Sequence, residues 1–379
     1  MRLLLITAVY PTPRRPNKGT FNRELVAGLN HAGDDVRVIA PVPWPDLARP
    51  RKDIPSPVAV SYPVWWYPSK FAHVTHHRWM QWSVLPTVRR VTARWRPELV
   101  MGYWTHPDGT TALAAARELA VPGVVMVGGS DVLLLTSALR RRAVIVDTLR
   151  RADQVLTNGS NLRRKVIELG IPAERVAAFH HGVDRSRFHP GDTRLMRQQL
   201  ELPLDRVIFL WVGHMVPVKG LDVLLRAWAR VSALDNPPLL LLIGDGEQRP
   251  ALERQAARQG AEVRFLGAMP HDALPSWYRA ADAVLLPSRS EGVPNVLLES
   301  LACGTPFIAT DVGDVATLRD AASVIVPAGD AAALADAIVA RSRQAPMTVR
   351  SHAQVVDRAD ATAEFRELLH GVLRRKAAG

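Results

Sequence analysis

The sequence predicts an α/β protein of two domains, each built on a parallel β-sheet that helices cover on both faces. The chain has 379 residues, which is the length expected of two domains. Short apolar runs alternate with helix-like patterns through both halves of the chain. Such alternation favours parallel sheets, because a crossover helix is the usual connection between two parallel strands.

Each short apolar run has the length of a buried strand. In the first half the predicted strands are Leu3–Ile6, Val36–Ala40, Leu99–Met101, Val124–Val127, Gln154–Thr157 and Val176–Phe179. The helical patterns between them are Phe21–His31, Trp82–Arg94, Gly109–Leu119, Ala138–Arg151 and Ser160–Leu169. In the second half the predicted strands are Val207–Val212, Leu239–Ile243, Val263–Leu266, Ala283–Leu286, Phe307–Ala309 and Val324–Val326. Ligands of such sheets bind beyond the carboxyl ends of the strands, so the loops there are candidate sites.

The composition is that of a globular protein, with 47% apolar and 22% charged residues. No apolar run reaches the length needed to span a membrane. The run at residues 1–8 is too short for a secretion signal and lacks a cleavage site of small residues, so it predicts a first strand. The single cysteine, Cys303, leaves no internal disulfide, which suits a reducing compartment and predicts a cytoplasmic protein.

The net charge of +12 comes from the first half of the chain. Residues 1–190 contain 27 Lys and Arg against 14 Asp and Glu, whereas residues 191–379 contain 21 against 22. Seven of the ten tryptophans also lie in the first half. A basic surface with interspersed aromatic residues suits an anionic membrane surface or nucleic acid. The alternative is a generally arginine-rich composition, with the tryptophans in the core.

The stretch 288–306 holds two carboxylates around the predicted start of a helix. The apolar run Ala283–Leu286 precedes it as a buried strand, Glu291 lies in the loop, and Glu299 lies about a turn into the helix. A helix start carries unpaired amides that attract anionic oxygens, and an ionised carboxylate accepts sugar hydroxyls. The positions expected near both acids are Gly292, Val293 and Asn295, which carry such amides, and Pro294, whose missing N–H suits a first turn.

The pattern S-x-x-E-G-x-P-x-x-x-x-E-x-x-x-x-G-x-P over this stretch resembles the donor-site signature of glycosyltransferase family 4, the group 1 glycosyl transferases. The resemblance implies the GT-B fold, in which two Rossmann-like domains with parallel sheets face a central cleft. It implies an acceptor-binding domain at residues 1–190 and a nucleotide-sugar-binding domain at residues 191–355. A C-terminal helix at about 360–379 is expected to pack back on the first domain. Taken alone, without the surrounding pattern, the two acids would be interpreted as ordinary polar residues, one on a loop and one on a solvated helix face.

The segment from Gly213 to the start of the next helix is a predicted diphosphate site, with helix amides and the Lys219 cation to bind the oxygens. Related sequences carry an arginine where this chain has His214. Because histidine is not permanently charged, this departure predicts weaker or pH-dependent donor binding. The resemblance adds Gly246, in a tight turn, and Gly267, beside the nucleobase segment, to the donor site.

Three loops of the first half of the chain contain further candidate site residues. Gly19 stands before a helix and could admit a phosphate or a sugar to the backbone, although a plain turn is as good an interpretation. His106 follows a strand and could contact the acceptor or the reacting sugar, or could cap and pack. The resemblance places a third element on the acceptor side, formed by Gly129, Ser130 and Asp131.

The resemblance implies a retaining transferase that moves a hexose-type sugar from a UDP- or GDP-sugar to a glycan or lipid-linked acceptor at the inner face of a membrane. Glu299 would hold the ribose hydroxyls, Glu291 would hold a hexose hydroxyl, and Lys219 would neutralise the leaving diphosphate. The catalytic candidates are thus Glu291, Lys219 and His106. No D-x-D motif occurs, so we expect no metal and no cofactor. A sugar-nucleotide epimerase and a basic nucleic-acid-binding protein remain the alternatives, although no nucleic-acid motif occurs.

Overall fold

The computed structural model describes residues 1–16, 18–68, 72–259, 262–344 and 355–378. Contacts divide the chain into two compact units, of which the first comprises Met1–His181 and Ala359–Gly379 and the second comprises Gly182–Arg358. The predicted boundary near residue 191 lies further along the chain than this division. The junction segment groups with the second unit because Val183 pairs with Asp357 there.

The first unit contains one seven-stranded parallel sheet and one two-stranded parallel pair. Its strands are β1 (Arg2–Ile6), β2 (Asp35–Ile39), β3 (Val42–Pro43), β4 (Ala59–Ser61), β5 (Val64–Trp65), β6 (Leu99–Tyr103), β7 (Gly123–Val127), β8 (Gln154–Asn158) and β9 (Val176–Phe179). The large sheet has the order β4-β2-β1-β6-β7-β8-β9, and β3 pairs with β5. The order reverses between β1 and β6, so ligands are expected at the loops that follow these two strands.

Helices cover both faces of the large sheet. They are α1 (Thr20–His31), α2 (His76–Thr92), α3 (Thr110–Leu119), α4 (Ser130–Leu133), α5 (Leu139–Arg151) and α6 (Ser160–Glu168). Helix α2 begins earlier than the predicted Trp82–Arg94, because its buried stripe starts with His76 and Met80, and a histidine does not register as apolar. The short strand β4 and the β3–β5 pair were not predicted, since two or three residues are too few to show a period.

The second unit contains one six-stranded parallel sheet of order β12-β11-β10-β13-β14-β15, the order of a Rossmann fold. Its strands are β10 (Ile208–Val212), β11 (Leu239–Ile243), β12 (Val263–Gly267), β13 (Ala283–Leu286), β14 (Phe307–Thr310) and β15 (Val324–Val326). Its helices are α7 (Thr193–Gln199), α8 (Leu221–Val231), α9 (Arg249–Arg258), α10 (Leu274–Ala280), α11 (Asn295–Ala302) and α12 (Ala331–Ser342).

Alternate residues of each central strand pack into opposite helical layers. In β11, Leu239 and Leu241 belong to one core cluster, while Leu240 and Leu242 belong to the other. Both faces are therefore buried, which is why the strand reads as an unbroken apolar run. The prediction of an α/β fold with two Rossmann-like units is confirmed.

The last helix, α13 (Arg358–Ala378), packs on the first unit. Phe365 is fully buried against Phe179 at the end of β9, with the two ring centroids 4.7 Å apart, and Leu369 lies in the same core cluster. Arg366 donates to Asp34 at 2.9 Å. The helix thus completes the apolar layer over one face of the large sheet.

Candidate functional site

The strand order of the second unit brings two loops together at its reversal point. Strand β10 lies between β11 and β13, so the loops 213–220 and 287–294 leave from adjacent strands in opposite directions around the sheet. A crevice at this position is the usual ligand site of such sheets. These are the same two loops that the sequence singled out.

A salt bridge joins these loops. The Lys219 ammonium donates to Oε1 of Glu291 at 2.7 Å, and the Ser288 hydroxyl donates to the same oxygen at 2.6 Å. The two charged side chains are 27% and 10% exposed, so the pair is partly shielded but reachable. The predicted catalytic residues Lys219 and Glu291 therefore lie in direct contact. Their neighbour Gly220 has φ of 67°, and a side chain there would collide with the Pro287 carbonyl, so only glycine allows this approach.

Arg289 ties the two loops along a second line of contacts. Its backbone N–H donates to the Val218 carbonyl at 2.8 Å, and its guanidinium donates to the Pro217 carbonyl at 2.5 Å. The guanidinium also pairs with Asp222 on α8 at 2.7 Å. These bonds fix the spacing of the loops, and with it the position of Lys219 relative to Glu291.

The amides before α11 provide the predicted anion-binding edge. The backbone N–H groups of Gly292, Val293 and Asn295 have no acceptor among the residues that the structure describes. Pro294 is the N-terminal cap residue, in extended conformation, and the helix begins at Asn295. Because the first amides of a helix have no partner within it, this edge can receive anionic oxygens.

Glu299 lies on α11 with both carboxylate oxygens in use. Oε1 is 2.8 Å from Nε2 of His271, and Oε2 accepts from the Tyr278 hydroxyl at 2.8 Å. Tyr278 is fully buried on α10, and Glu299 is 9% exposed. Burial and the adjacent carboxylate raise the pKa of Tyr278, which keeps its hydroxyl protonated as a donor. Sequence reasoning missed both partners of Glu299, since neither belongs to the motif that contains it.

His214 is engaged with the turn after β11 rather than with Lys219. Its Nδ1 lies 2.6 Å from the carbonyl oxygen of Asp245, between Gly244 and Gly246. The predicted donor residues Gly213 and Gly246 both lie against this turn, since a side chain on Gly246 would collide with the Met215 backbone and one on Gly244 with the Gly213 carbonyl. The Met215 N–H donates to the same Asp245 carbonyl at 2.8 Å. Gly267 ends the neighbouring strand β12, and its carbonyl accepts from the Gly244 N–H at 2.8 Å. The predicted donor residues of the second unit thus line the carboxyl edge of one sheet.

Two family models match the chain over most of its length. The model described as "Glycosyl transferases group 1" matches residues 206–343, and the model described as "Glycosyl transferase 4-like domain" matches residues 19–182. The chain belongs to the group 1 glycosyltransferase family. The recognition made from the stretch 288–306 is thereby confirmed, and so is the prediction of a transferase.

Similar proteins agree with this assignment. TuaC of Bacillus subtilis, named as a teichuronic acid biosynthesis glycosyltransferase, is 29% identical over 361 residues, which cover 89% of this chain and 88% of TuaC. A D-inositol 3-phosphate glycosyltransferase of Acidothermus cellulolyticus is 31% identical over 286 residues, which cover 72% of this chain. The match spans 59% of that enzyme, which is less than two thirds of its length.

Solved structures show the same fold. A sucrose-phosphate synthase from Thermosynechococcus elongatus matches with a TM-score of 0.79 at 21% identity, covering 100% of this chain and 99% of that one. HepE of Anabaena, solved in complex with UDP, matches with a TM-score of 0.75 at 19% identity, covering 98% and 100%. The glycosyltransferase therefore has the GT-B fold, as predicted.

In the first unit of the glycosyltransferase, the loops after β1 and β6 meet through Asp108. Its Oδ2 accepts from the Ala8 N–H at 2.8 Å and from the Thr7 hydroxyl at 3.3 Å. Burial raises the pKa of Asp108 to about 7, and burial lowers the pKa of Lys18, whose ammonium attracts Asp108. Gly19 follows with φ of 68°, and a side chain there would collide with the Val9 carbonyl. This glycine is thus required by the turn itself, whatever it admits.

His106 is buried and paired with a second histidine that sequence reasoning missed. Its Nε2 lies 3.1 Å from Nδ1 of His77, and the two rings pack edge to face. Burial first, and then the neighbouring histidines, lower the pKa of His106 to about 4, so the imidazole is neutral at pH 7. A neutral imidazole can hydrogen-bond a hydroxyl but supplies no charge. The only sequence signal for His77 is that it stands in a group with His73 and His76, whose spacing does not fit a metal site.

The predicted acceptor-side element positions the loop that carries His106. Asp131 is fully buried, and its carboxylate accepts from the N–H and the hydroxyl of Thr105 and from the N–H of Gly129, each at 2.8 Å. Ser130 begins α4. With these donors satisfied, Asp131 fastens the turn at residue 105 to the end of β7.

Four exposed tryptophans form a surface that we call the tryptophan face, defined by Trp44, Trp66, Trp79 and Trp82. They are 38%, 47%, 42% and 69% exposed, and the rings of Trp44 and Trp66 stack at 6.3 Å. The Trp66 N–H donates to Ser83 on α2, beside Trp82. The outward side of α2 continues from these rings into exposed arginines: Arg78, Arg89, Arg90 and, beyond the helix end, Arg94.

None of the helices in the described part of the chain is long and apolar enough to cross a bilayer. Among the same residues, no group of three or more His, Cys, Asp or Glu side chains is arranged to hold a metal ion.

Proposed function

We propose that this chain transfers a hexose-type sugar, with retention of anomeric configuration and without a metal ion, from a UDP- or GDP-sugar to a glycan or lipid-linked acceptor. The observation that carries the proposal is the contact between Lys219 and Glu291 at the reversal point of the second sheet, next to the open amides before α11. The HepE structures with UDP and with UDP-glucose support a nucleotide-sugar donor.

The proposed donor site divides the nucleotide sugar among the residues described. Glu299 accepts the ribose hydroxyls, and the amides of Gly292, Val293 and Asn295 receive diphosphate or sugar oxygens. Lys219 turns from Glu291 toward the diphosphate, which opens a lone pair on Oε1 of Glu291, beside the Ser288 hydroxyl, for a hexose hydroxyl. The ammonium then neutralises the charge that grows on the leaving diphosphate, without help from a metal ion.

The proposed transfer proceeds without a covalent intermediate between the sugar and the enzyme. The acceptor oxygen bonds to the anomeric carbon on the face from which the diphosphate leaves. The bond between that carbon and the diphosphate oxygen breaks, and its electron pair stays on the diphosphate. The acceptor proton passes to the departing phosphate oxygen. Retention follows because bond formation and bond breaking share one face. Recovery of a glycosylated peptide from rapidly quenched enzyme would contradict this route.

The acceptor is proposed to reach the enzyme at an anionic membrane. No Asp or Glu occurs between Asp53 and Glu98, a stretch that contains α2 and three of the four residues of the tryptophan face. Exposed tryptophans next to exposed arginines suit the interface of an anionic bilayer, where rings enter the headgroup layer and arginines meet phosphates. These features support the proposal of a peripheral protein at the cytoplasmic side of the membrane.

A thermal-shift panel of UDP-, GDP- and ADP-sugars tests the donor assignment, since a ligand that binds only the folded state raises the melting temperature. We expect one nucleotide to stabilise the wild type and to lose its effect in Lys219→Met and Glu291→Gln. Lys165→Met, which removes an exposed lysine of the first unit, is the matched control. Turnover that EDTA abolishes and a divalent ion restores would overturn the metal-independent mechanism.

A further inference from the structure

The carboxylate of Glu299 is held from two sides by side chains outside its motif. His271 stands in the short turn His271–Ala273 that follows β12, and Tyr278 stands on α10. Each approaches a different oxygen of Glu299, at 2.8 Å in both cases. Two independent contacts at opposite oxygens fix the rotation of the carboxylate plane, which a single contact would leave free.

This arrangement leaves part of the hydrogen-bonding capacity of the Glu299 carboxylate unused. An ionised carboxylate has about four lone-pair sites, two on each oxygen. His271 and Tyr278 each use one of them, so one site on Oε1 and one on Oε2 are left for other donors. Two adjacent hydroxyls on one ring, as in a ribose, match a pair of open sites on the two oxygens of one carboxylate.

The two donors are themselves held by packing. Phe188 is fully buried and lies 5.1 Å from the His271 ring and 6.0 Å from the Tyr278 ring, measured between centroids. The next residue, Asp272, pairs with Arg187. His271 is 34% exposed, so it lies at the mouth of the site, whereas Tyr278 lies beneath it. A carboxylate supported by packed donors pays little ordering entropy when a ligand binds.

We propose that His271, together with Tyr278, is a positioning residue for the donor, which orients the Glu299 carboxylate so that its two open sites receive the two hydroxyls of the ribose. The proposal rests on the donor site described under the proposed function. It adds a specificity element: the strength with which the enzyme distinguishes a ribonucleotide from a deoxyribonucleotide depends on His271, although His271 need not touch the ribose.

Binding of UDP, 2′-deoxy-UDP and 3′-deoxy-UDP tests this proposal, with GDP and its deoxy forms used if the thermal-shift panel selects guanine. Isothermal titration gives the dissociation constants for the wild type, His271→Ala, His271→Gln and Tyr278→Phe. A hydrogen bond to a charged group corresponds to about 10- to 100-fold in affinity, so we expect the wild type to prefer UDP by about that factor. His271→Gln places an amide N–H near the position of Nε2 and should keep the preference.

We expect His271→Ala and Tyr278→Phe to lose most of this preference, by weakening UDP binding about 10-fold while changing deoxynucleotide binding much less. In turnover, His271→Ala should raise the KM of the sugar donor more than it lowers kcat. A purely structural role would weaken all three nucleotides equally and leave the preference intact, which would overturn the proposal. His189→Ala, an exposed histidine of the same unit, is the control and should behave as the wild type.

The variant Glu299→Gln distinguishes a failure of the ribose assignment from a failure of the positioning role of His271. If it abolishes the preference while His271→Ala and Tyr278→Phe retain it, the ribose assignment stands and the positioning role of His271 is wrong. If Glu299→Gln binds UDP and the deoxynucleotides as the wild type does, the ribose assignment itself fails, and the positioning role fails with it.

Discussion

At the scale of single residues, His214 shows how one substitution alters the chemistry of a site without changing its frame. Its Nδ1 faces the Asp245 carbonyl, and a carbonyl oxygen can only accept, so Nδ1 carries the proton. In this tautomer Nε2 presents a lone pair, which repels phosphate oxygens. The arginine of related sequences carries its charge at every pH.

The first prediction follows from this tautomer. His214→Arg should bind the donor more tightly than the wild type, because a guanidinium offers several N–H donors and a permanent charge to the diphosphate. His214→Gln, which carries no charge, is the control for loss of the imidazole ring. Dissociation constants of UDP at one fixed pH measure the effect, and equal affinities for the wild type and His214→Arg would contradict it.

The second prediction concerns the loss of folding stability in acid that results from the burial of His106. Its pKa falls from 6.5 to about 4 on folding, so between these values the unfolded chain binds a proton that the folded chain does not. Stability therefore falls as the pH drops from 6.5 to 4, by at most about 3 kcal/mol at 1.36 kcal/mol per pKa unit. We expect His106→Asn to lose less stability than the wild type over this window.

Calorimetric melting of the full chain at pH 7.5, 6, 5 and 4.5 measures this difference. His31→Asn, an exposed histidine of the same unit, is the control and should follow the wild type. The comparison must be between variants, because Asp108 contributes with the opposite sign: its raised pKa of about 7 makes stability fall as the pH rises from 3.8 to 7. Parallel curves for the wild type and His106→Asn would exclude a neutral, buried imidazole.

At the scale of elements, the sequence predicted the strands well because both faces of each sheet are covered. Strands such as Leu239–Ile243 are then apolar throughout, and their period is not needed to find them. The two acids Glu291 and Glu299 were found because one local sequence motif contains both of them. His271 and Tyr278 were not, since their contacts with Glu299 join separate segments of chain, and spacing along the sequence does not encode such contacts.

The third prediction belongs to the last helix, α13. Phe365 is fully buried in the core of the first unit, against Phe179. Truncation to alanine leaves a cavity that a packed sheet cannot close, which costs about 3–5 kcal/mol. Urea unfolding of Phe365→Ala should show this loss, with Glu364→Ala, exposed on the same helix, within about 0.5 kcal/mol of the wild type. A loss below about 1 kcal/mol for Phe365→Ala would mean that the helix does not dock as described.

At the scale of the whole molecule, the charge is divided between the halves of the chain, with an excess of 13 positive charges in residues 1–190 and of one negative charge in residues 191–379. Such a field orients a protein at an anionic surface before any contact forms. The tryptophan face supplies the short-range attraction to the membrane surface, since its rings are exposed on the basic half of the chain. Electrostatic approach and ring insertion respond differently to salt, which allows them to be separated.

The fourth prediction uses this difference. We expect the full chain to float with vesicles that contain about one third anionic lipid, less strongly as salt shortens the Debye length from about 10 Å at 0.1 M to 3 Å at 1 M. Trp79→Ser with Trp82→Ser should lower binding at every salt concentration, because the rings no longer insert. Arg90→Glu with Arg94→Glu should lower binding mainly at low salt. The matched control is Arg254→Glu with Arg258→Glu, which makes the same charge change at exposed positions of the second unit. If the control loses binding as completely as the α2 variants, net charge alone governs the attraction, and the tryptophan face is not the docking surface.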